Sequence, residues 1–564
     1  MTESANPRPC LLSLAAARLV LAAAAVSFSA GLMAPYAGAA ERPRLVVLVV
    51  IDQFRYEYLQ SYQQHFEDGG FRRFAREGAS FTQAAYHHST TDTCPGHAVI
   101  ATGYWGNLNG IVANSWFDAV RGRHVDCAAA GEADRSLNLL RPTIGDALKQ
   151  AGGGKYIVAS GKRAAAIVLG GQSADAVFFP DSQARFDRLR ERVPVPAWVQ
   201  GFGDVERMEA EFGEVWTRLL PTDAYAAVGP DDVAAEAPPG GMGRTFPHHL
   251  NTGFLGVGPA FRETVQQSPF ADAILADLAM AAVREEKLGQ DAVADLLAVS
   301  FSANDRVGHN FGPDSHESMD TAVRLDRQVA RLIGFLDRHV GLQQTLIVLT
   351  ADHGVAALPE VASARGSRTA GRVPEALWSE AVEDALTAAY GQPLSGDWVA
   401  FHDFPNVFLD EVAISAAGAR TEDAEQVAEE AIEALPGILA AYTRSDLVKF
   451  KQTTVASPDI QMVLLSFRAD RSGHVVYQVL RDTVDKSTGT NHGSHWDYDT
   501  HVPLMWLGAG VPPGRYDGSV TPADIAPTLR RFLGLPADPE APGRVLREVL
   551  PGAGAPPEQG SKTP

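Results

Sequence analysis

Cysteine is scarce, with three residues among 564, too few to build a disulfide scaffold. Cys10 falls in a candidate leader, so Cys94 and Cys127 remain, and their spacing leaves a single disulfide between them open. Basic charge of the kind that grips nucleic acid is also missing. The chain carries 48 Lys and Arg against 68 Asp and Glu, a formal net charge of −20. It has no Lys/Arg stripe, which argues against a nucleic-acid partner. A phosphate-bearing substrate would need another attractant, and metal ions would serve. Beyond the first forty residues no apolar run is long enough to span a bilayer. With 45% hydrophobic and 21% charged residues, wholesale disorder is excluded. The length is ample for a large core.

What is present begins with a leader. Arg8, an apolar run from Leu19 to Ala34 and the small residues Ala37-Gly38-Ala39 read as a secretory signal over residues 1–40. An uncleaved anchor is the alternative, but Arg18 and Pro35 bound a run short for spanning. The expectation is export to a bacterial periplasm or medium, with no stable membrane span once the leader is removed. Residues 551–564, rich in Pro, Gly and small polar residues, read as a frayed tail.

Between these ends, short apolar runs finish on polar residues. Leu45 to Ile51 runs without alternation, as a strand buried on both faces would, and stops at Asp52. Leu296 to Phe301 leads to Asp305 and His309, Leu346 to Leu349 leads to Asp352-His353, and Tyr156 to Ala159 leads to Lys162. Amphipathic helices lie between them. The clearest carries Ala322, Leu325, Val329, Leu332 and Leu336 on one face. Strands alternating with helices predict an α/β fold, a mainly parallel central sheet flanked by helices. Ligands of such sheets sit beyond the carboxyl ends of the strands. The four strand ends therefore build one site. That core spans 41–550, with insertions near 175–291 and 359–485. The second should hold a helix capped by Thr421 and a hairpin-like run around Arg471-Ser472-Gly473.

Asp305 with His309, and adjacent Asp352 with His353, are mixed carboxylate and imidazole pairs that suit Zn²⁺. Singly, each has an ordinary reading as a cap or a surface histidine. A nucleophile candidate stands in Thr91-Asp92-Thr93-Cys94-Pro95-Gly96-His97. Pro95 suits the first turn of a helix and Gly103 its stop. Thr93 would sit just before that N-terminus, where backbone N–H groups favour an anion.

These residues resemble the alkaline phosphatase superfamily, specifically the bacterial PafA-type zinc-dependent alkaline phosphatases with a threonine nucleophile, related to type I phosphodiesterases and nucleotide pyrophosphatases. The likeness covers most of the mature chain. It rests on Val50-Ile51-Asp52-Gln53, Thr93-Cys94-Pro95-Gly96-His97, Gly110-Ile111-Val112-Ala113-Asn114 and the two metal pairs. It rests also on Gly241-Met242-Gly243-Arg244-Thr245-Phe246-Pro247, Asn491-His492-Gly493-Ser494 and Asp499-Thr500-His501-Val502-Pro503. The resemblance implies two zinc sites: Asp305, His309 and His492 in one, and Asp52, Asp352, His353 and the Thr93 oxygen in the other. His492 is selected by its motif, since His495 and His501 are equally near in sequence and keep a structural reading. Asn114 matches an asparagine that donates to a phosphate oxygen, and His97 is expected to orient the nucleophile turn.

The family pattern Lys-any-Arg is only half present. The segment reads Ser160-Gly161-Lys162-Arg163-Ala164, so Lys162 is in place and Ala164 stands where the arginine belongs. Arg163 could reach the substrate only through a local shift. The resemblance implies hydrolysis of small phosphate monoesters through a phosphothreonine on Thr93, with Asn114 and Lys162 holding phosphoryl oxygens. The missing arginine keeps a phosphodiesterase or nucleotide pyrophosphatase open as the nearest alternative, and an inactive zinc-dependent phosphate-binding protein as a remoter one. A sulfatase is disfavoured because Cys94-Pro95 lacks the spacer and arginine of the formylglycine motif. The sequence is silent on oligomeric state.

Overall fold

Unbroken aliphatic runs lie at the centre of the molecule, because a strand covered on both faces has no polar side to alternate with. The computed structural model describes residues 42–118, 120–128, 138–181, 186–188, 195–202, 204–250, 258–452 and 457–553. The candidate leader and most of the tail lie outside them. The described residues from Arg42 to Ala553 fall in one compact unit.

A nine-stranded sheet forms the core. Its strands are β1 (Leu45–Ile51), β2 (Ala79–Ala84), β3 (Tyr156–Ser160), β4 (Ala176–Pro180), β5 (Phe186–Arg188), β6 (Asp295–Phe301), β7 (Thr345–Thr350), β8 (Leu504–Gly508) and β9 (Gly514–Val520), in the order β9-β2-β8-β7-β1-β6-β3-β4-β5. Only β5 and β8 run against the rest. Every residue of β1, β6 and β7 is buried. Layers of apolar side chains cover both faces: one includes Val47, Val49, Ile347 and Leu332, the other Val46, Leu48, Val348 and Trp506. The mainly parallel α/β sheet expected from the sequence is thus the observed one.

Register fixes the site. Ile51 pairs with Phe301, Val50 with Thr350, and Ser300 with Ser160. Four strands therefore end at one level, and whatever follows them emerges at one edge. The helix His316–His339 buries Ala322, Leu325, Val329, Leu332 and Leu336, the face its spacing predicts.

Downstream, a separate four-stranded sheet joins Val399–Asp403, Asn406–Leu409, Val475–Val479 and Ile438–Thr443. It packs with the helices Glu375–Tyr390 and Thr421–Glu433 around Trp378, Trp398 and Ile432. Two local expectations need correction here. Thr421 is the first helical residue, and Arg420, with extended backbone, precedes it as the cap. The turn at Arg471-Ser472-Gly473 links the helix Pro458–Ser466 to the strand Val475–Val479 rather than two paired strands. Ser472 Oγ there accepts the Arg468 N–H at 3.1 Å, and its N–H donates to Arg468 O at 2.7 Å, a local closure that mimics a hairpin in sequence. Among the described residues no helix is long and apolar enough to cross a membrane.

Candidate active site

Asp52 leaves β1 with its N–H bonded to Phe301 O at 2.9 Å. After β6 the chain turns into a helix, Ala303–Phe311, which carries Asp305 in its first turn and His309 one turn later. This four-residue spacing puts both on one face, and His309 Nε2 lies 3.2 Å from Asp305 Oδ1. After β7, Asp352 and His353 follow. His353 Nε2 stands 3.5 Å from both Asp52 Oδ1 and Asp352 Oδ2. His492 arrives from a distant loop, its ring stacked on His353 with centroids 3.7 Å apart and its Nε2 3.7 Å from Asp305 Oδ1.

The three imidazoles share one arrangement. Nδ1 of His309 faces Thr490 O at 2.9 Å, that of His353 faces Gly354 O at 2.8 Å, and that of His492 faces Thr91 O at 3.0 Å. A carbonyl oxygen only accepts, so Nδ1 is the donor in each ring and the Nε2 lone pair is turned toward the carboxylates. That is the orientation metal-ligating histidines adopt. Ligand atoms of Asp305, His309 and His492 lie within 4.8 Å of one another, and so do those of Asp52, Asp305 and His353. Asp52 Oδ1 and His353 Nε2 are buried without a hydrogen-bond partner, and Asp352 Oδ2 has only His97 Nδ1, at 3.1 Å. Buried groups of this kind call for an ion, and the mixed nitrogen and oxygen donors fit a borderline divalent metal.

Electrostatics point the same way. Burial, then Asp305 and Asp352, push the Asp52 carboxyl well above its ordinary value. Burial, then His353 and His309, hold the His492 imidazole well below its own, in the neutral form that ligates. Lys162 Nζ sits 2.9 Å from Asp52 Oδ2, 2.6 Å from Asp305 Oδ2 and 3.3 Å from Thr93 Oγ1. Burial alone would lower its pKa, but Asp305, Asp52 and Asp352 hold it well above the lysine range.

Thr93 opens the helix α1 (Thr93–Thr102). The sequence placed it just before that helix. It is instead the first helical residue, because Asp92 takes the cap and accepts the Thr93 N–H at 2.8 Å. Asn114 Oδ1 accepts the Cys94 N–H at 2.9 Å, and its Nδ2 donates to Asp92 Oδ1 at 2.5 Å. A disulfide joins Cys94 to Cys127, and the Cys127 N–H donates to Asn114 O at 2.8 Å. Arg163 is exposed at the start of its helix. Ala164 is partly buried and, like Phe117 and Phe401, packs against the apolar cluster that includes Cys94, Ile167 and Phe408.

The sequence profile of the type I phosphodiesterase / nucleotide pyrophosphatase family matches residues 46–495. The chain belongs to this family. Among curated relatives, the alkaline phosphatase PhoV of Synechococcus elongatus is 29% identical over 545 residues, covering 90% of this chain and 93% of that protein. The alkaline phosphatase PafA of Elizabethkingia meningoseptica is 28% identical over 533 residues, covering 91% and 95%. The crystal structure of wild-type alkaline phosphatase PafA superposes with a TM-score of 0.83 at 26% identity, over 91% of this chain and 99% of that one. The PafA-type resemblance and the fold it implies therefore hold.

This family member also uses residues that sequence reasoning passed over. Gln53, at a positive φ of 63°, donates its N–H to Asp352 Oδ1 at 3.0 Å and its Nε2 to Asp305 Oδ1 at 2.9 Å, tying two strand ends together. Its place in the Val-Ile-Asp-Gln motif was the available signal. Asp92, inside the Thr91-to-His97 motif, caps the helix that begins at Thr93. Asp403 Oδ2, at the tip of the inserted hairpin, accepts from both N and Oγ of Ser115 at 2.8 Å, and nothing local in sequence announces that contact. His97 makes the contacts expected of an orienting residue: Nδ1 is 2.8 Å from Thr93 O and Nε2 2.9 Å from Ser300 Oγ. His495 stacks on Trp496 and His501 on Tyr56, and neither joins the candidate ligand groups.

Proposed function

We propose that this chain is an exported, zinc-dependent alkaline phosphatase that hydrolyses small phosphate monoesters through a phosphothreonine on Thr93. Its family membership makes it a phosphoric ester hydrolase. The observation that carries the finer reading is the juxtaposition of Thr93 Oγ1 with Lys162 and the Asp52, Asp305 and His353 group at the carboxyl edge of the sheet. Asp305, His309 and His492 would hold one zinc ion, and Asp52, Asp352 and His353 with the Thr93 oxygen the second. When bound, zinc supplies Lewis-acid charge that favours hydroxyl ionisation and neutralises charge developing on departing oxygens.

Thr93 Oγ attacks phosphorus, forming the Oγ–P bond as the bond to the alcohol oxygen breaks. Asn114 Nδ2 and Lys162 Nζ hold the non-bridging oxygens through the transition state. Water then attacks phosphorus, releasing inorganic phosphate and restoring the hydroxyl. His97 keeps the turn oriented by its bond to Thr93 O. The trial is chemical trapping. Wild-type protein quenched in acid during turnover of a ³²P-labelled monoester should carry label, and Thr93→Ala none, with kcat lowered at least about a thousandfold. Undiminished turnover by that variant sinks the reading. Residues 1–40 would be removed on export, which mass analysis of the secreted protein checks.

A second reading, a phosphodiesterase, is favoured by Ala164 and the exposed Arg163. Rates on p-nitrophenyl phosphate and its methyl ester separate the two.

A further inference from the structure

The carboxylate of Asp92 is the one charged side chain at the nucleophile turn that the proposed chemistry leaves idle. It is buried, 8% exposed, and its Oδ1 accepts the Thr93 N–H and one Asn114 amide N–H. Its ligand oxygen lies within 4.8 Å of the ring nitrogens of His353 and His492. A phosphoryl oxygen accepting the other N–H of Asn114 would be separated from this carboxylate by little more than one amide group. Opposing it, Lys162 is the cation whose Nζ reaches Thr93 Oγ1 among the described residues. Arg163 is exposed, and Ala164 packs against an apolar cluster and carries no charge.

Like charges at such separations in a shielded site repel in proportion to the charge on the substrate. A monoester at alkaline pH presents a dianionic phosphoryl group. A diester presents a monoanion with one oxygen capped by carbon. We propose that Asp92 is a specificity-determining residue whose negative charge disfavours dianionic monoesters relative to monoanionic diesters. The inference rests on the reading that Thr93 attacks phosphorus and Asn114 holds its oxygens.

Asp92→Asn separates charge from structure. Its amide oxygen keeps both accepted hydrogen bonds, and asparagine caps helices as well as aspartate does. In zinc-loaded protein at pH 8, the variant should raise kcat/KM for p-nitrophenyl phosphate by about tenfold or more. The methyl diester should change less than about threefold. Calorimetry should show inorganic phosphate binding about tenfold tighter, with zinc content and Tm unchanged. Asp92→Ser, a second uncharged cap, should repeat the pattern should the first variant fold poorly.

Parallel changes in both esters, or none, overturn the proposal. Loss of bound zinc overturns it too, since Asp92 would then be a ligand. Wild-type protein hydrolysing neither ester defeats the functional reading on its own terms. Tighter phosphate binding by the variant would still support the charge effect in that case.

Discussion

On the proposed reading, the side chain at position 164 sets how much positive charge would meet the substrate. Lys162 stands at the head of the helix Arg163–Gly170, and the residue two positions on is partly buried against the apolar cluster around Cys94 and Ile167. A guanidinium placed there would add a planar pair of donors toward the phosphoryl oxygens. Ala164→Arg is expected to raise kcat/KM for p-nitrophenyl phosphate by about tenfold or more, with little gain for the methyl diester. Equal gains on both substrates would show that the new side chain acts by general attraction. Apart from Thr93, the residues that could be read from local sequence share one property: each follows a strand or lies on the helix that starts just after it. Asp52, Asp305, His309, Asp352, His353 and Lys162 are all of this kind. His492 lies 401 residues from Thr91 and 187 from Asp305 in the chain, and only a family motif singled it out. Gln53, Asp92 and Asp403 act through hydrogen bonds to other segments, which no local pattern encodes.

Among the elements, α1 is the most constrained. All ten residues from Thr93 to Thr102 are buried, so amphipathic periodicity could not mark it. Pro95 and Gly103 could, and Gly103 does stop the helix, at a φ of 78°. Gly96 lets the helix approach β7. A Cβ there would fall 2.2 Å from Asp352 O and 2.8 Å from Asp352 Cβ, too close for any side chain without moving backbone. Gly96→Ala should therefore displace the nucleophile helix from the residues that flank His353. The expected loss is about 2–4 kcal/mol of stability, together with weaker zinc binding. Thermal unfolding and zinc titration report the two effects, and an unaltered zinc affinity would mean the helix and the ligand set move together. The Arg471-Ser472-Gly473 turn shows the opposite limit of legibility. Gly473 marks a tight turn well enough, but the elements it joins depend on which side of the inserted sheet each segment packs.

Across the whole molecule, stability should carry the mark of one buried acid, Glu236. Both oxygens of Glu236 are buried without hydrogen-bond partners. Burial, then the nearby Glu317, push its pKa from 4.5 to about 9, against smaller opposing effects from the Val233 backbone and Arg244. The folded state thus keeps a proton that the unfolded chain releases above pH 4.5. Stability then falls as pH rises through that interval, because the unfolded state binds fewer protons, and the loss is complete above about 9. Glu236→Gln removes this dependence. Calorimetry should show its Tm advantage over wild type growing from pH 5 to pH 9. A constant difference across that range would show that Glu236 is ionised in the folded protein. The fold itself was the most legible feature, since buried parallel strands announce themselves by apolar runs. The inserted sheet was less legible, because apart from the hairpin Val399–Leu409 its strands pair across helices and long loops.

The level ends of β1, β3, β6 and β7 have a consequence for how this chain can change. Its chemistry is addressed by position in the sheet, so the distance along the chain between one working residue and the next carries no meaning. Segments between them are free to lengthen, shorten or be replaced, as long as each strand keeps its partners. New termini opened in the inserted sheet, with the old ones joined, would leave every strand end at its address. Substrate preference can therefore diversify by rebuilding what overhangs the sheet, while the catalytic edge stays as it is.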